Sequence, residues 1–329
     1  MTKSKQTSSS QTWRAWLNPK RAILPRESFP LYDLNRRYLK WASTDKKAHL
    51  WIRAMLIVPC AILIAVWFLV AVNDNRWGDS TYGYLSIVFI ATMTFFSFLL
   101  DFSSMVVTFN SINSEKTLGR WDLLLLATEK DHISRSKHAF TRLRIARVLA
   151  FNLSIRIAVL LFPVLMVTVW GYLNPLDFGG TFTSLTNYVQ DFPLESFAIV
   201  MFCIPAVLFY LYEPVWRVRA ITAMGVALSA RFQQFSLLVP LAFVTLVGLW
   251  ILQAIVLWFV SLGFLWLTST INIVLFGGYP DPLINNSTTV NIIIWTSTWF
   301  IAMAYVAVAF LFYGIITSVA YNRIESRIP

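Results

Sequence analysis

Charge is scarce in this chain: only 13% of its 329 residues are Asp, Glu, Lys or Arg, while 57% are hydrophobic. An ordinary soluble domain carries about 25% charged residues, so the composition excludes a water-soluble globule. Cysteine is almost missing. Cys60 and Cys203 stand inside apolar runs, far apart and outside any CxxC or His-linked spacing, which leaves them reading as small hydrophobes without a role. Of the three histidines, His132 and His138 are six apart on no shared helical face, and there is no HExxH; all three read as surface side chains. No GxSxG and no Ser/His/Asp arrangement stands out, so a hydrolase has nothing to rest on. A GxxxxGK(S/T) phosphate loop is also lacking, so the chain is not expected to hydrolyse ATP by that route. No catalytic residue, metal site or cofactor is expected. The N-terminus has no apolar core of a signal peptide, so the first span is expected to serve as its own insertion signal.

What the chain does have is long apolar runs. Its mean hydropathy is +0.62, and several runs reach the roughly 20 residues a helix needs to cross the hydrocarbon core. The net charge of +11 is unevenly placed: of 27 Lys and Arg, 12 lie in residues 1–53, eight in 113–147, three in 213–231 and two at the C-terminus. The opposite loops hold Asp74, Asp79, Asp177, Asp191, Glu195 and Asp281, with Arg76 as their one cation. This is the asymmetry of the positive-inside rule. It reads as topology and attraction to anionic lipid, not as nucleic-acid binding.

The expected fold is all-α, a polytopic membrane protein with six transmembrane helices. Residues 1–26 read as a flexible cytoplasmic N-terminus. Residues 27–49 read as an amphipathic interfacial helix, with Leu31, Leu34, Tyr38 and Trp41 on one stripe among Arg36, Arg37, Lys40, Lys46 and Lys47; a solvated linker is the plainer alternative. The transmembrane domain covers 50–321, with spans at about 50–72, 82–109, 148–173, 196–227, 235–255 and 290–318, and Pro214 as a place for a kink. Residues 235–276 hold about twice the length of one crossing, with no charge. One crossing followed by a re-entrant hairpin at 256–276 is preferred, because it keeps the basic tail 322–329, and so both termini, in the cytoplasm.

Two ionisable residues lie inside spans, Asp101 and Arg156. Such groups are expensive in hydrocarbon and face partners or cavities, so a pair locking spans two and three is expected, with a place in a substrate path as the alternative. The most informative segment is 113–137, NSEKTLGRWDLLLLATEKDHISRSK. It sets a Leu run among charges, too short to span and too apolar for a plain loop. Ser114 suits a helix cap with Glu115 near the positive end, Gly119 permits a turn or a close approach, and Trp121 with Leu123–Leu126 makes an apolar face. A second short helix then leads to Lys137. This is either a loop lying on the membrane or a docking elbow for a cytoplasmic partner.

EKxxGxWDLLLL, followed by a charged turn, Ile133 and Lys137, resembles the segment between the second and third helices of ABC-2-type transporter permeases. Glu115, Gly119, Leu123, Leu124, Leu125, Ile133 and Lys137 match that pattern, and Asp122 stands where Glu is usual. Thr117 and Arg120 depart from it, and a Thr-Pro is absent around Ala127–Thr128. ITAMGVALSARFQQFSLLVPLAF, with a Ser-x-Arg turn between spans four and five, is similar to the same family. The resemblance implies a permease subunit working as a homo- or heterodimer in the plasma membrane. It would be driven by a separate cytoplasmic ATPase subunit through the elbow, and would export a hydrophobic or amphipathic substrate. The other readings are a non-transporting permease-like scaffold and an ion-driven carrier.

Overall fold

The structure is a computed structural model that describes residues 23–24, 30–73, 94–108, 111–112, 115, 119, 130–173, 183, 187, 190, 193–231, 235–276 and 288–325. Among these the chain is helical, with no strand. The helices are α1 (Pro30–Arg37), α2 (Asp45–Asn73), α3 (Thr94–Thr108), α4 (Lys130–Leu173), α5 (Pro193–Arg231), α6 (Phe235–Phe276) and α7 (Thr288–Glu325). Four stretches are long and apolar enough to cross a membrane: Asp45–Leu69, Ile133–Phe162, Val239–Val256 and Met303–Arg323. By length and composition these are the helices of an integral membrane protein.

The basic N-terminal stretch is not one helix over 27–49. Helix α1 ends at Arg37, where Arg36 and Arg37 sit at its negative end. Tight turns then close from Tyr38 N–H to Asn35 O (3.3 Å) and from Leu39 N–H to Arg36 O (3.0 Å). Thr44 restarts the helix, its hydroxyl accepting the Lys47 N–H at 3.4 Å, with Asp45 in the first turn. Arg36 staples the reversal: it donates to Ala42 O at 2.8 Å and pairs with Asp45 at 2.5 Å. The expected stripe is broken by this turn, since Trp41 is buried while Tyr38 is 76% exposed.

The first 30 residues of helix α4 are the centre of the packed core described here. In the apolar window of α4 67% of residues are buried within the protein, against 11% in α2 and α6. Three clusters form along it. Ala139, Leu143, Ala146 and Ala150 pack with Tyr32, Trp41, Ala42, Ala48 and Ile52. Ile145, Leu149 and Leu153 pack with Leu100 of α3 and Val215 and Val218 of α5. Ile133 packs with Ile112, Val226 and Ala230, and Tyr321 of α7 lies against that group. The expected short helix before Lys137 is therefore not separate: it is the first two turns of this 44-residue helix.

The hairpin expected at 256–276 is not formed, because Phe235–Phe276 is one helix of 42 residues, about 63 Å long at 1.5 Å per residue. A reversal in that apolar run would strip backbone groups of partners that a continuous helix supplies itself. Helix α5 likewise runs unbroken through Pro214. The first half of the expected second span, 82–93, lies outside the described residues.

The chain divides into two compact units: Met1–Val159 with Pro214–Phe243 and Tyr313–Pro329, and Leu160–Glu213 with Val244–Phe312. The polar and packed groups discussed below all lie in the first. In the second, apolar side chains such as Phe197, Ile204, Leu208, Ile251 and Trp258 are exposed, as suits a surface facing lipid tails.

Gly225 marks a close helix approach. A Cβ added there would overlap the Thr108 hydroxyl oxygen and stand 2.6 Å from the Thr108 Cβ and 3.4 Å from the Met105 sulfur, so only a residue without a side chain lets α5 reach α3. Gly225→Ala is expected to lower the melting temperature in detergent, by overpacking of about 1–3 kcal/mol. Thr108→Ala removes the nearest overlap but leaves the Thr108 Cβ in the way, so it should restore part of the loss, and Thr108→Gly should restore more.

Candidate functional site

A buried polar seam runs along helix α3 and on to Ser111. Ser97, Asp101, Ser104, Thr108 and Ser111 follow one another at steps of four and three, and all are buried. That spacing keeps them on a single seam, while Phe95, Phe98, Leu99 and Val106 are exposed on the other side. A membrane inverts the usual pattern: hydroxyls and carboxylate turn inward, hydrocarbon outward. Several hydroxyls are satisfied by their own helix, with Ser104 donating to Leu100 O (2.6 Å) and Thr108 to Ser104 O (3.0 Å).

Asp101 has no exposure, and its Oδ2 accepts from Arg217 Nη1 of α5 at 3.4 Å. Arg217 also donates from Nε to the Tyr313 hydroxyl of α7 at 3.2 Å. Arg156 reaches the same seam one turn away, donating to Ser97 Oγ at 3.1 Å, while its Nε donates to Asn152 Oδ1 at 3.1 Å. Both intramembrane charges expected to matter are thus turned towards the polar face of α3. The distances place Arg217 beside Asp101 and Ser97 beside Arg156. Arg217 was legible only as a charge near the inner end of span four.

At the end of this seam lies the elbow. Lys137 Nζ and Glu115 Oε1 are 2.6 Å apart, with the lysine side chain 5% and the glutamate 20% exposed. Ile133, one turn before Lys137, is completely buried in the cluster of Ile112, Val226 and Ala230. Beside it the Ile112 N–H donates to Ser229 Oγ of α5 at 3.1 Å, which ties the chain after α3 to α5. Gly119 is exposed in a turn with φ of 66°, and an added Cβ would meet nothing within 4 Å. Of the two roles open to it, the structure assigns the turn: glycine is needed there for backbone handedness, not for space. Trp121, Asp122, Leu123, Leu124 and Leu125 lie outside the described residues.

His138 corrects the surface reading. It is buried on α4, with Nδ1 against the Tyr321 hydroxyl of α7 and Nε2 3.0 Å from Thr222 Oγ1 and 3.1 Å from Arg219 O. Since the Thr222 hydroxyl hydrogen goes to Val218 O at 2.7 Å, this pattern puts the ring proton on Nε2 and leaves Nδ1 to accept from tyrosine. The signal available in the sequence was its place one residue after Lys137 on the face leading to Thr141 and Ile145. His49, by contrast, is exposed. Among the described residues no group of His, Cys, Asp and Glu is arranged to hold a metal ion.

No family model matches the chain, and neither the curated proteins nor the solved structures provide a match.

The Glu115–Lys137 contact fastens the two ends of the elbow, and its removal should be felt. Glu115→Gln is expected to strand a buried ammonium and destabilise the protein by about 2 kcal/mol, a buried-pair loss discounted for the partly exposed glutamate. Lys137→Met should cost less, because it removes the buried charge itself. A thermal-melt double-mutant cycle over the two positions measures the coupling, and additive effects would show that the contact contributes nothing.

Proposed function

We propose that this protein is the permease subunit of an ABC-type exporter. A separate cytoplasmic ATPase subunit would supply the energy, and the cargo would be a hydrophobic or amphipathic molecule. The observation that carries the reading is the clasped elbow. The segment whose residues resemble the ATPase-docking stretch of ABC-2-type permeases is fastened at both ends, by Ile133 in the core and by Lys137 on Glu115, while Gly119 stands exposed between them. A segment that only lay on the membrane would need no such anchorage.

On this reading the elbow takes the push of nucleotide-driven closure and passes it to α4. Residues 130–173 form one continuous helix, so a displacement at Lys137 is carried along a stiff rod and not absorbed at a hinge. The buried charges Asp101 and Arg156, with the half-buried Arg217, give α3, α4 and α5 discrete pairings. Such pairings suit a bundle that switches between two arrangements and does not deform smoothly. The architecture proposed is six crossings with both termini in the cytoplasm, α6 accounting for one of them, in the plasma membrane and as a dimer. A non-transporting scaffold is the second reading, favoured by Thr117, Arg120 and the absent Thr-Pro in the elbow.

Two measurements test this. The affinity-tagged protein extracted in mild detergent should bring down an ATPase subunit, and Gly119→Asp or Leu124→Asp should abolish that association without unfolding the spans. Aspartate and asparagine enter the left-handed backbone region only occasionally, so Gly119→Asn, which carries the same backbone strain without the charge, is the control for Gly119→Asp and should keep more of the partner. Retention of the partner by both aspartate variants would remove the elbow from the interface. For the topology, a cysteine placed by Ser326→Cys should resist a membrane-impermeant maleimide in intact cells, and labelling from outside would exclude six crossings.

A further inference from the structure

Helices α2 and α4 run parallel in a fixed register. Ser154 Oγ donates to Leu56 O at 2.7 Å, an offset of 98 residues, and the same offset sets Ala48 beside Ala146 and Ile52 beside Ala150, all in one packed cluster. This register brings cations from three segments to one level. Lys46 and Arg53 stand level with positions 144 and 151, a band about 10 Å deep along the axis at 1.5 Å per residue. Arg144 and Arg147 of α4 lie within it, one turn apart on the same helix face. The turn after α1 folds Trp41 down onto them, its ring 4.9 Å from the Arg147 guanidinium carbon, and Lys40 precedes it in the chain. Lys40, Lys46, Lys47, Arg53, Arg144 and Arg147 are all exposed. The acids in these segments offset little of this charge: Asp45 is paired with Arg36, which leaves Asp33.

The band also sits at a definite depth. Leu50 and Trp51 are exposed at 69% and 43%, and Ile57 and Val58, one to two turns further along α2, at 65% and 53%. The cations therefore border the surface that meets lipid tails, with a tryptophan at the boundary, as in the interfacial belt of membrane proteins. A soluble acidic partner would have no reason to meet cations continuous with a hydrocarbon-facing wall; a phospholipid has both halves of the match.

We propose that this face is a binding site for the phosphate headgroup of an anionic phospholipid, held by Lys40, Arg144 and Arg147, with the acyl chains along the exposed apolar side of α2. The stacking of Arg147 on Trp41 fixes one of the donors in advance, and the inference is independent of the transporter reading. Lys46, Lys47 and Arg53 add field around the site, each cation near an anionic surface contributing about 1 kcal/mol, or about fivefold in occupancy.

The test uses the full chain, purified and delipidated in neutral detergent. It is incubated with equal amounts of phosphatidylglycerol and phosphatidylcholine of the same acyl composition, and retained lipid is counted by native mass spectrometry. The expected result is at least about fivefold preference for phosphatidylglycerol, falling to parity in Lys40→Gln/Arg144→Gln/Arg147→Gln. A control variant, Arg231→Gln/Arg323→Gln, alters exposed cations at the ends of α5 and α7 and should keep the preference. If the triple variant does not fold, Arg144→Gln alone, at an exposed position, should lower the preference by up to about fivefold. Equal retention of the two lipids by the unaltered protein, an undiminished preference in the variants, or an equal loss in the control would each overturn the proposal.

Discussion

Hydrocarbon offers no partner to a polar group, and this constraint organises the described part of the molecule. Asp101, Arg156, Ser97, Ser104, Thr108 and Ser111 cannot face lipid, so α3 turns its polar seam inward, and α4 and α5 supply what it needs. Once the seam is turned inward, the apolar side of α3 faces out. The approach of α5 is then set by Gly225 against Thr108, and Tyr313 is drawn to Arg217. Apolar packing among helices is weakly directional in lipid, since the tails compete on equal terms. The polar contacts therefore decide which faces meet.

The same logic explains why α4 is central. Along its length it carries Lys137, His138, Thr141, Asn152, Ser154 and Arg156, every one buried. A helix with so many polar side chains cannot leave those faces to lipid, so neighbours cover them. The apolar windows of α2 and of Val239–Val256 in α6 have the opposite character: they carry few polar groups and are only 11% buried within the protein. Burial of these helices thus follows polar content, as burial of apolar residues would dictate it in water.

Much of this was legible in the residues. Apolar run length pointed to the four stretches that are long and apolar enough to cross a membrane, and the four-and-three spacing from Ser97 to Ser111 is readable without coordinates, although only Asp101 in that seam drew notice because it alone carries charge. The contact of Arg217 with Asp101 was not legible, because whether a charge near the inner end of span four reaches the polar face of α3 depends on the azimuth of both helices. The break after Arg37 was readable in principle, since Ser43-Thr44-Asp45 is a helix start, but the apolar period of Leu31, Leu34, Tyr38 and Trp41 ran across it and masked the signal. At 235–276 run length misled: twice the length of a crossing was taken for a reversal, although that segment contains nothing to satisfy the backbone of a turn. His138 was misjudged because a lone histidine is commonest on a surface, and its partners Thr222 and Tyr321 are 84 and 183 residues away.

The elbow joins these themes. Glu115 and Lys137 are 22 residues apart in the chain and 2.6 Å apart in space, so the segment between them has its ends pinned together. The entropy of closing that loop is already spent in the folded state. Ile112, before the first end, is bonded to Ser229 of α5, and Ile133, before the second, is buried beside it. On the proposed reading, a push on the elbow would reach the chain after α3, the start of α4 and the last turns of α5 together, because Ile112, Ile133, Val226 and Ala230 pack in one cluster. The same three helices carry Asp101, Arg156 and Arg217, so such an input would be connected by packing to the polar contacts that hold these helices to one another.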